Sequence, residues 1–309
     1  MTTDLGELAR RIATELAARD QAPPRGGPPT GEGSAATVER PHHSIPADTR
    51  NPPGVRFVRD KARIADFIDH TLLKAEATAA EIDQLCAEAR DNGFAAVCVN
   101  PVWVRRCAQQ LGGSAVGVAT VIGFPLGANR SEAKRREAEL AVADGATELD
   151  MVAAVGHAKS GDWRHVADDI AAVVAGAGGR LVKVIIESAA LSPVEIVKIS
   201  ALAKEMGAQY VKTSTGFHPA GGASAEAVAL MRMVVGDALG VKASGGVREC
   251  ETALRMVASG ATRIGTSSGV SMARCLGAGP LPLNQLLSLS AGHSATCTSC
   301  GTSSGGSAY

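Results

Sequence analysis

Residues 209–246 read QYVKTSTGFHPAGGASAEAVALMRMVVGDALGVKASGG, and this stretch decides the fold. It opens with a short apolar run, 209–214, that carries Lys212. A helix-like segment follows over 223–239, and a second apolar run, 241–244, carries Lys242. A strand, a helix and a strand of about this total length make one parallel crossover unit. Each lysine follows a valine and is followed within four residues by glycine, so both stand near the end of a strand. Neighbouring parallel strands would then set two ammonium groups side by side at one end of a sheet.

The same alternation continues outward in both directions. Strands are expected at 66–71, 95–100, 115–123, 147–153, 181–187, 209–214, 241–244 and 262–266. Helices are expected at 78–92, 101–111, 131–145, 163–176, 192–207, 223–239, 249–260 and 268–276. Start and stop signals support these limits. Ser192-Pro193 offers a cap with proline in the first turn, and Glu195 follows; Ser131 precedes Glu132 and an alanine-rich run. Gly93, Gly145, Gly207 and Gly260 stand just past helix ends. The strands are continuous apolar runs, as in a sheet covered on both faces. Eight strand–helix pairs fit an α/β, (β/α)8 TIM barrel. The alternative is a doubly wound open sheet, but the first strand–helix turn, Asp69-His70-Thr71-Leu72, lacks the glycine fingerprint of that class.

Composition sets the limits of the domain. Residues 21–54 are rich in Pro, Gly, Ser and Thr, and from about 278 the chain turns to Gly, Ser and Thr again. We therefore expect a disordered N-terminal extension over 1–56, a barrel over 57–277 and a flexible C-terminal tail over 278–309. Aromatic residues are only 3% of the chain, so Ala, Val, Leu and Ile must build the core. Thirty-one basic residues balance 31 acidic ones, which argues against a nucleic-acid surface. No apolar run reaches the ~18 residues of a membrane-spanning helix, and the first residues lack a signal-peptide core. No membrane association is expected, and a cytoplasmic location is. Self-association into a homo-oligomer is compatible with the chain. The seven cysteines are irregularly spaced and read as reduced thiols. Cys297 and Cys300 form a lone CxxC without a second metal half-site, so no metal is expected.

In a barrel, chemistry gathers at the carboxyl ends of the strands. Lys212 and Lys242 fall there. A free lysine titrates near about 10.4, so only about one in 2,500 is a nucleophile at pH 7; bringing it to about 7 takes roughly 4.6 kcal/mol. A second ammonium and partial desolvation can supply that. The expected arrangement is one lysine that attacks a carbonyl and one that keeps it neutral. Asp150, inside Glu148-Leu149-Asp150-Met151-Val152, is a carboxylate placed to act as acid or base, or as partner to a lysine. Lys183 lies further back on its strand and is expected to pair with an interior acid. Glu187, an even four residues further on, is expected to point to the same side of the sheet. Asp69 could bind a substrate hydroxyl, and His70 beside it is read as structural. Gly245, Gly246 and the run Gly265-Thr266-Ser267-Ser268-Gly269 have the character of a phosphate cradle, where backbone N–H groups at a helix start face an anion. Simple helix capping by Ser267 is the alternative there. Cys98 reads as a small buried hydrophobe, and the loop 122–128 as a cover over the mouth.

These segments, taken in order, resemble the deoxyribose-phosphate aldolases. The motifs are Ile68-Asp69-His70-Thr71-Leu72-Leu73, Ala96-Val97-Cys98-Val99-Asn100-Pro101, Gly123-Phe124-Pro125-Leu126-Gly127 and Glu148 to Val152, followed by Val182 to Glu187, Lys212 to Gly216, Lys242 to Arg248 and Gly265 to Ser268. The resemblance spans about 66–272. It implies a class I aldolase that needs neither cofactor nor metal. It also implies reversible cleavage of a small-molecule sugar phosphate, 2-deoxy-D-ribose 5-phosphate, to D-glyceraldehyde 3-phosphate and acetaldehyde, a step of deoxyribonucleotide catabolism. By position, Lys212 matches the Schiff-base lysine, Lys242 the lysine that tunes it, and Asp150 the acid that works through a water. Gly216, Gly245, Gly246, Ser267 and Ser268 match phosphate contacts, and Asp69 and Thr215 match residues around the substrate hydroxyls. Phe217 stands where some members carry lysine, so phosphate contact there would be through backbone. Some members use a C-terminal tyrosine in proton exchange, a role for which Tyr309 is the counterpart. Two other functions fit less well. A keto-acid aldolase would want a carboxylate-binding arginine near Lys212, and a non-catalytic sugar-phosphate sensor would not need Lys212, Lys242 and Asp150 together.

Overall fold

The computed structural model describes residues 61–277 and 279–288. Eight parallel strands close into a barrel: β1 (Ile68–Leu72), β2 (Ala96–Val99), β3 (Gly117–Ile122), β4 (Glu148–Val152), β5 (Leu181–Ile185), β6 (Tyr210–Lys212), β7 (Gly240–Ser244) and β8 (Arg263–Thr266). Closure is made by β1 on β8, with Ile68 opposite Ile264 and His70 opposite Thr266. That pairing excludes the open sheet. The outer helices are α1 (Ala79–Asn92), α2 (Val104–Gln110), α3 (Ser131–Ala143), α4 (Trp163–Gly176), α5 (Pro193–Glu205), α6 (Ala225–Val235), α7 (Cys250–Ala258) and α8 (Gly269–Leu276).

Strand parity sorts the core into two parts. Outward residues such as Val97, Val99, Leu149, Met151, Val182, Val184, Val211, Val241 and Ile264 belong to one large apolar layer beneath the helices. Inward residues of β2 and β3, namely Ala96, Cys98, Ala119 and Val121, form a small apolar cluster inside the barrel. The inward positions of β1, β4, β5, β7 and β8 carry charge instead, and so does the end of β6. The apolar character of the strands is thus concentrated on their helix-facing side, with polar residues enclosed on the other.

Local signals act as read at several ends. Ser192 caps α5 reciprocally with Glu195, with Pro193 in the first turn. Gly93 ends α1 in the left-handed conformation at φ 63°. Ser131 departs from the expected cap. It is the first residue of α3, Arg130 precedes it as N-cap, and the Ser131 hydroxyl donates to Asp169 at 2.9 Å. β5 stops at Ile185, and Glu187 takes a left-handed φ of 57°, so the even spacing from Lys183 does not extend along one strand. A short helix, Val155–Lys159, intervenes before α4. Residues 281–288 continue in order where a tail was expected. Leu281–Pro282 pairs antiparallel with Lys61–Ala62, and Leu283–Ser288 is helical, with Leu286 buried in the outer core. The expectations for 1–56, for Cys297 and Cys300 and for Tyr309 lie outside the described residues.

Candidate active site

Lys212 ends β6 and Lys242 lies on β7, and the two are register partners. Both side chains enter the barrel and are buried. Each donates to the same atom, Asp150 Oδ2, at 2.8 Å. Asp150 comes from β4, is fully enclosed, and accepts a third bond from Lys183 to Oδ1 at 2.7 Å.

The network does not end there. Lys242 also donates to Asp69 Oδ2 at 2.5 Å, and Lys183 to Glu148 Oε2 at 2.5 Å. Arg263, on β8, reaches Asp69 Oδ1 with Nη1 and Glu148 Oε1 with Nη2, the latter at 2.8 Å. Asp69 therefore has both oxygens engaged by cations. Buried charge is tolerated only when paired and hydrogen-bonded, and each carboxylate here meets that condition.

The electrostatic consequences differ among the lysines. Burial pushes the Lys212 amine below its ordinary value; Asp150 pulls it back up and the Lys242 charge pushes it down again. Burial also opposes the charge on Lys242, but Asp150 and Asp69 outweigh it and hold the amine well above its ordinary value. Lys183 is raised in the same way, against burial, by Asp150, Glu148 and Asp69. Burial opposes the charge of Asp150, yet Lys183, Lys212 and Lys242 hold its carboxyl well below the usual carboxylate range. Burial pushes the Cys98 thiol up, which keeps it a neutral hydrophobe.

The rim above this floor is built by glycines. Gly216, Gly245 and Gly246 take φ of 87°, 89° and 77°, conformations that suit glycine. The loops after β6 and β7 touch: a Cβ on Gly222 would lie 2.1 Å from the Gly245 carbonyl oxygen, and the Ala223 amide donates to that oxygen at 3.0 Å. Ser267 is exposed, and Ser268 stands at the start of α8 with its amide donating to Thr266 Oγ1 at 2.9 Å. Thr215 is buried and donates its hydroxyl to Glu187 Oε2 at 2.6 Å. Phe217 meets Phe124 of the covering loop edge to face, ring centroids 5.2 Å apart.

Three features were not singled out from sequence. Glu148 and Arg263 complete the ionic floor, and the available signal was a charge at an inward position of an otherwise apolar strand. Glu187 fixes Thr215 from a strained backbone that no spacing rule reveals. Finally, Lys134 on α3 and Asp169 on α4 form a fully buried pair at 2.7 Å, and Lys134 also donates to the Val152 carbonyl at 2.9 Å, at the end of the strand that carries Asp150.

Known proteins resemble this chain over most of its described length. Residues 63–276 match the model of the DeoC/LacD family aldolases. A deoxyribose-phosphate aldolase from Brevibacillus brevis is 58% identical over 206 residues, which cover 67% of this chain and 93% of the relative. One from Mannheimia succiniciproducens is 50% identical over 213 residues, covering 69% and 95%. Among solved structures, a putative deoxyribose-phosphate aldolase from Coccidioides immitis superimposes with a TM-score of 0.68 at 37% identity, over 89% of this chain and 98% of that one. A tetrameric deoxyribose phosphate aldolase from Aeropyrum pernix gives 0.63 at 35% identity, over 67% and 88%.

Proposed function

The chain belongs to the DeoC/LacD family of aldolases, and we propose that it cleaves 2-deoxy-D-ribose 5-phosphate reversibly to D-glyceraldehyde 3-phosphate and acetaldehyde, through an imine on Lys212. One observation carries the mechanism. Lys212 is the buried lysine of the floor whose amine is pushed toward neutrality, while Lys242 and Lys183 each hydrogen-bond two carboxylates and are held charged.

The neutral Lys212 nitrogen attacks the C1 aldehyde, and loss of water from the carbinolamine gives an iminium. The C2–C3 bond then breaks, and its electron pair moves into the iminium to form an enamine. The C3 hydroxyl becomes the aldehyde of the departing triose phosphate, its proton leaving to a water held by Asp150. The same water path returns a proton to C2, and hydrolysis frees acetaldehyde and Lys212. Lys242 remains a fixed cation that keeps the Lys212 nitrogen from reprotonating before attack. Gly216, Gly245, Gly246, Ser267 and Ser268 would hold the phosphate through backbone amides and hydroxyls on the rim. Thr215 would meet a substrate hydroxyl. Asp69, bonded by Lys242 and Arg263, would act as their counter-charge beside the substrate hydroxyls.

Borohydride reduction in the presence of acetaldehyde tests this reading. Peptide mass mapping should find an ethyl adduct on Lys212 that is absent from Lys212→Ala. A folded protein that turns over the sugar phosphate without that adduct would overturn the imine; binding without turnover would point to a sensor.

A further inference from the structure

The charged residues beneath Lys212 form a closed ring. Starting from Asp150, the contacts run to Lys242, to Asp69, to Arg263, to Glu148, to Lys183 and back to Asp150. Anion and cation alternate at every step. The ring holds three carboxylates and three cations, supplied by β1, β4, β5, β7 and β8; each cation in it hydrogen-bonds two of the carboxylates, and Lys183 also stands 3.7 Å from Asp69 Oδ2 across the ring. Lys212 is outside the ring. It hangs from Asp150 Oδ2, and no second carboxylate among the described residues bonds its amine.

We propose that this charge-complete ring is what makes Lys212 the surplus, uncharged amine, and that Arg263 and Glu148 on its far side are positioning residues for the reaction. The inference rests on the reading that Lys212 forms the imine. Its physical basis is charge balance in an enclosed space. With the ring complete, a protonated Lys212 would be an uncompensated charge in a medium of low dielectric constant. Were one cation of the ring missing, Asp150 and its neighbours would carry a net negative charge and would welcome the proton. Were one carboxylate missing, the surplus would grow. The titratable groups set against Lys212 are Asp150 from β4, Lys242 from β7 and the Cys98 thiol from β2. Arg263 also lies 6.0 Å from the centre of the Tyr210 ring, whose phenol burial keeps protonated. None of these offers Lys212 a second counter-charge.

The proposal predicts effects of opposite sign from two residues that do not touch Lys212. Lysine labelled with carbon-13 would allow the Lys212 side chain to be titrated by NMR, its signal assigned by loss in Lys212→Arg. Arg263→Met should move the Lys212 titration upward by about one pH unit, a tenfold loss of neutral amine near pH 7. Glu148→Gln should move it downward. The double variant Glu148→Gln/Arg263→Met is neutral overall and should return it close to the starting value, and Arg263→Lys should hold it there. If Arg263→Met does not fold, Glu148→Gln and Arg263→Lys decide between them. Shifts of the same sign, or no shift in folded variants, would overturn the proposal and leave the pair with a purely structural role. Trapping with acetaldehyde on the same samples separates this from the catalytic reading: opposite shifts without an adduct on Lys212 would keep the ring and remove the imine.

Discussion

Lys212 and Lys242 donate to one oxygen, Asp150 Oδ2, at 2.8 Å each, but only Lys242 has a second carboxylate, Asp69, at 2.5 Å. Two lysines in matched sequence contexts are thereby made unequal by what lies beyond the shared atom. The pair should respond differently to the same substitution.

Lys212→Met should lower kcat on the order of 10⁴-fold or more, as removal of a nucleophile does, with little loss of thermal stability, because Asp150 keeps Lys183 and Lys242 and the other ring carboxylates keep all their partners. Lys242→Met should also lose activity, and in addition should destabilise the fold by about 3–5 kcal/mol, since Asp69 and Asp150 lose a buried cation. Denaturant unfolding of the two variants side by side checks the contrast; equal destabilisation would contradict it.

Asp150→Asn should reduce kcat by about 10²–10⁴-fold through loss of the proton path. The amide also leaves Lys183, Lys212 and Lys242 short of a negative charge. Rapid-quench measurement of enamine proton exchange at C2, compared with the rate of imine trapping, would separate the proton step from imine formation.

Stability should fall at both ends of the pH range. Asp69 and Asp150 titrate below their unfolded value of 3.8, so their contribution is present above about pH 4 and is lost as pH falls below it. Lys183 and Lys242 titrate above 10.5, so theirs is present below that value and is lost as pH rises through and beyond it. Lys212 is lowered and acts with the opposite sign, as does Lys134, which burial also lowers: between the folded value and 10.5 the unfolded chain binds more protons, so each makes stability rise with pH. Unfolding free energies across the pH range, with and without Lys212→Met, would show the difference.

Lys134→Met should cost about 3–5 kcal/mol, because Asp169 is left charged and unpaired in a fully buried position. The double variant Lys134→Met/Asp169→Leu should recover much of that loss. Since Lys134 also holds the Val152 carbonyl, kcat should fall in both variants while the KM for the sugar phosphate changes less.

Much of this was legible in the chain because the relevant signals are local. Helix caps such as Ser192 with Glu195, the glycine at 93 and the eightfold alternation each follow from a few adjacent residues. The lysine pair was legible because one crossover unit fixes its spacing and puts both strands in register. Arg263 and Glu148 were not, since a charge on an apolar strand announces burial without naming its partner, and the contacts of Arg263 lie on strands distant in sequence. Glu187 was read as the end of a strand because nothing in its composition signals a left-handed backbone. The segment 281–288 was hidden by the Gly- and Ser-rich residues that follow it, although Leu281, Leu283, Leu286 and Leu287 offered an apolar pattern.

Asp69 and Arg263 stand 194 residues apart, at opposite ends of the barrel sequence, and they meet only where β1 and β8 seal it. The ring that sets Lys212 apart therefore cannot exist in a chain still emerging from synthesis or in one whose last strand has come away. In such a chain Lys212 would be wetted and, like a free lysine, almost wholly protonated at pH 7. On the imine reading, the reactivity of Lys212 toward an aldehyde would switch on with the last seam of the fold.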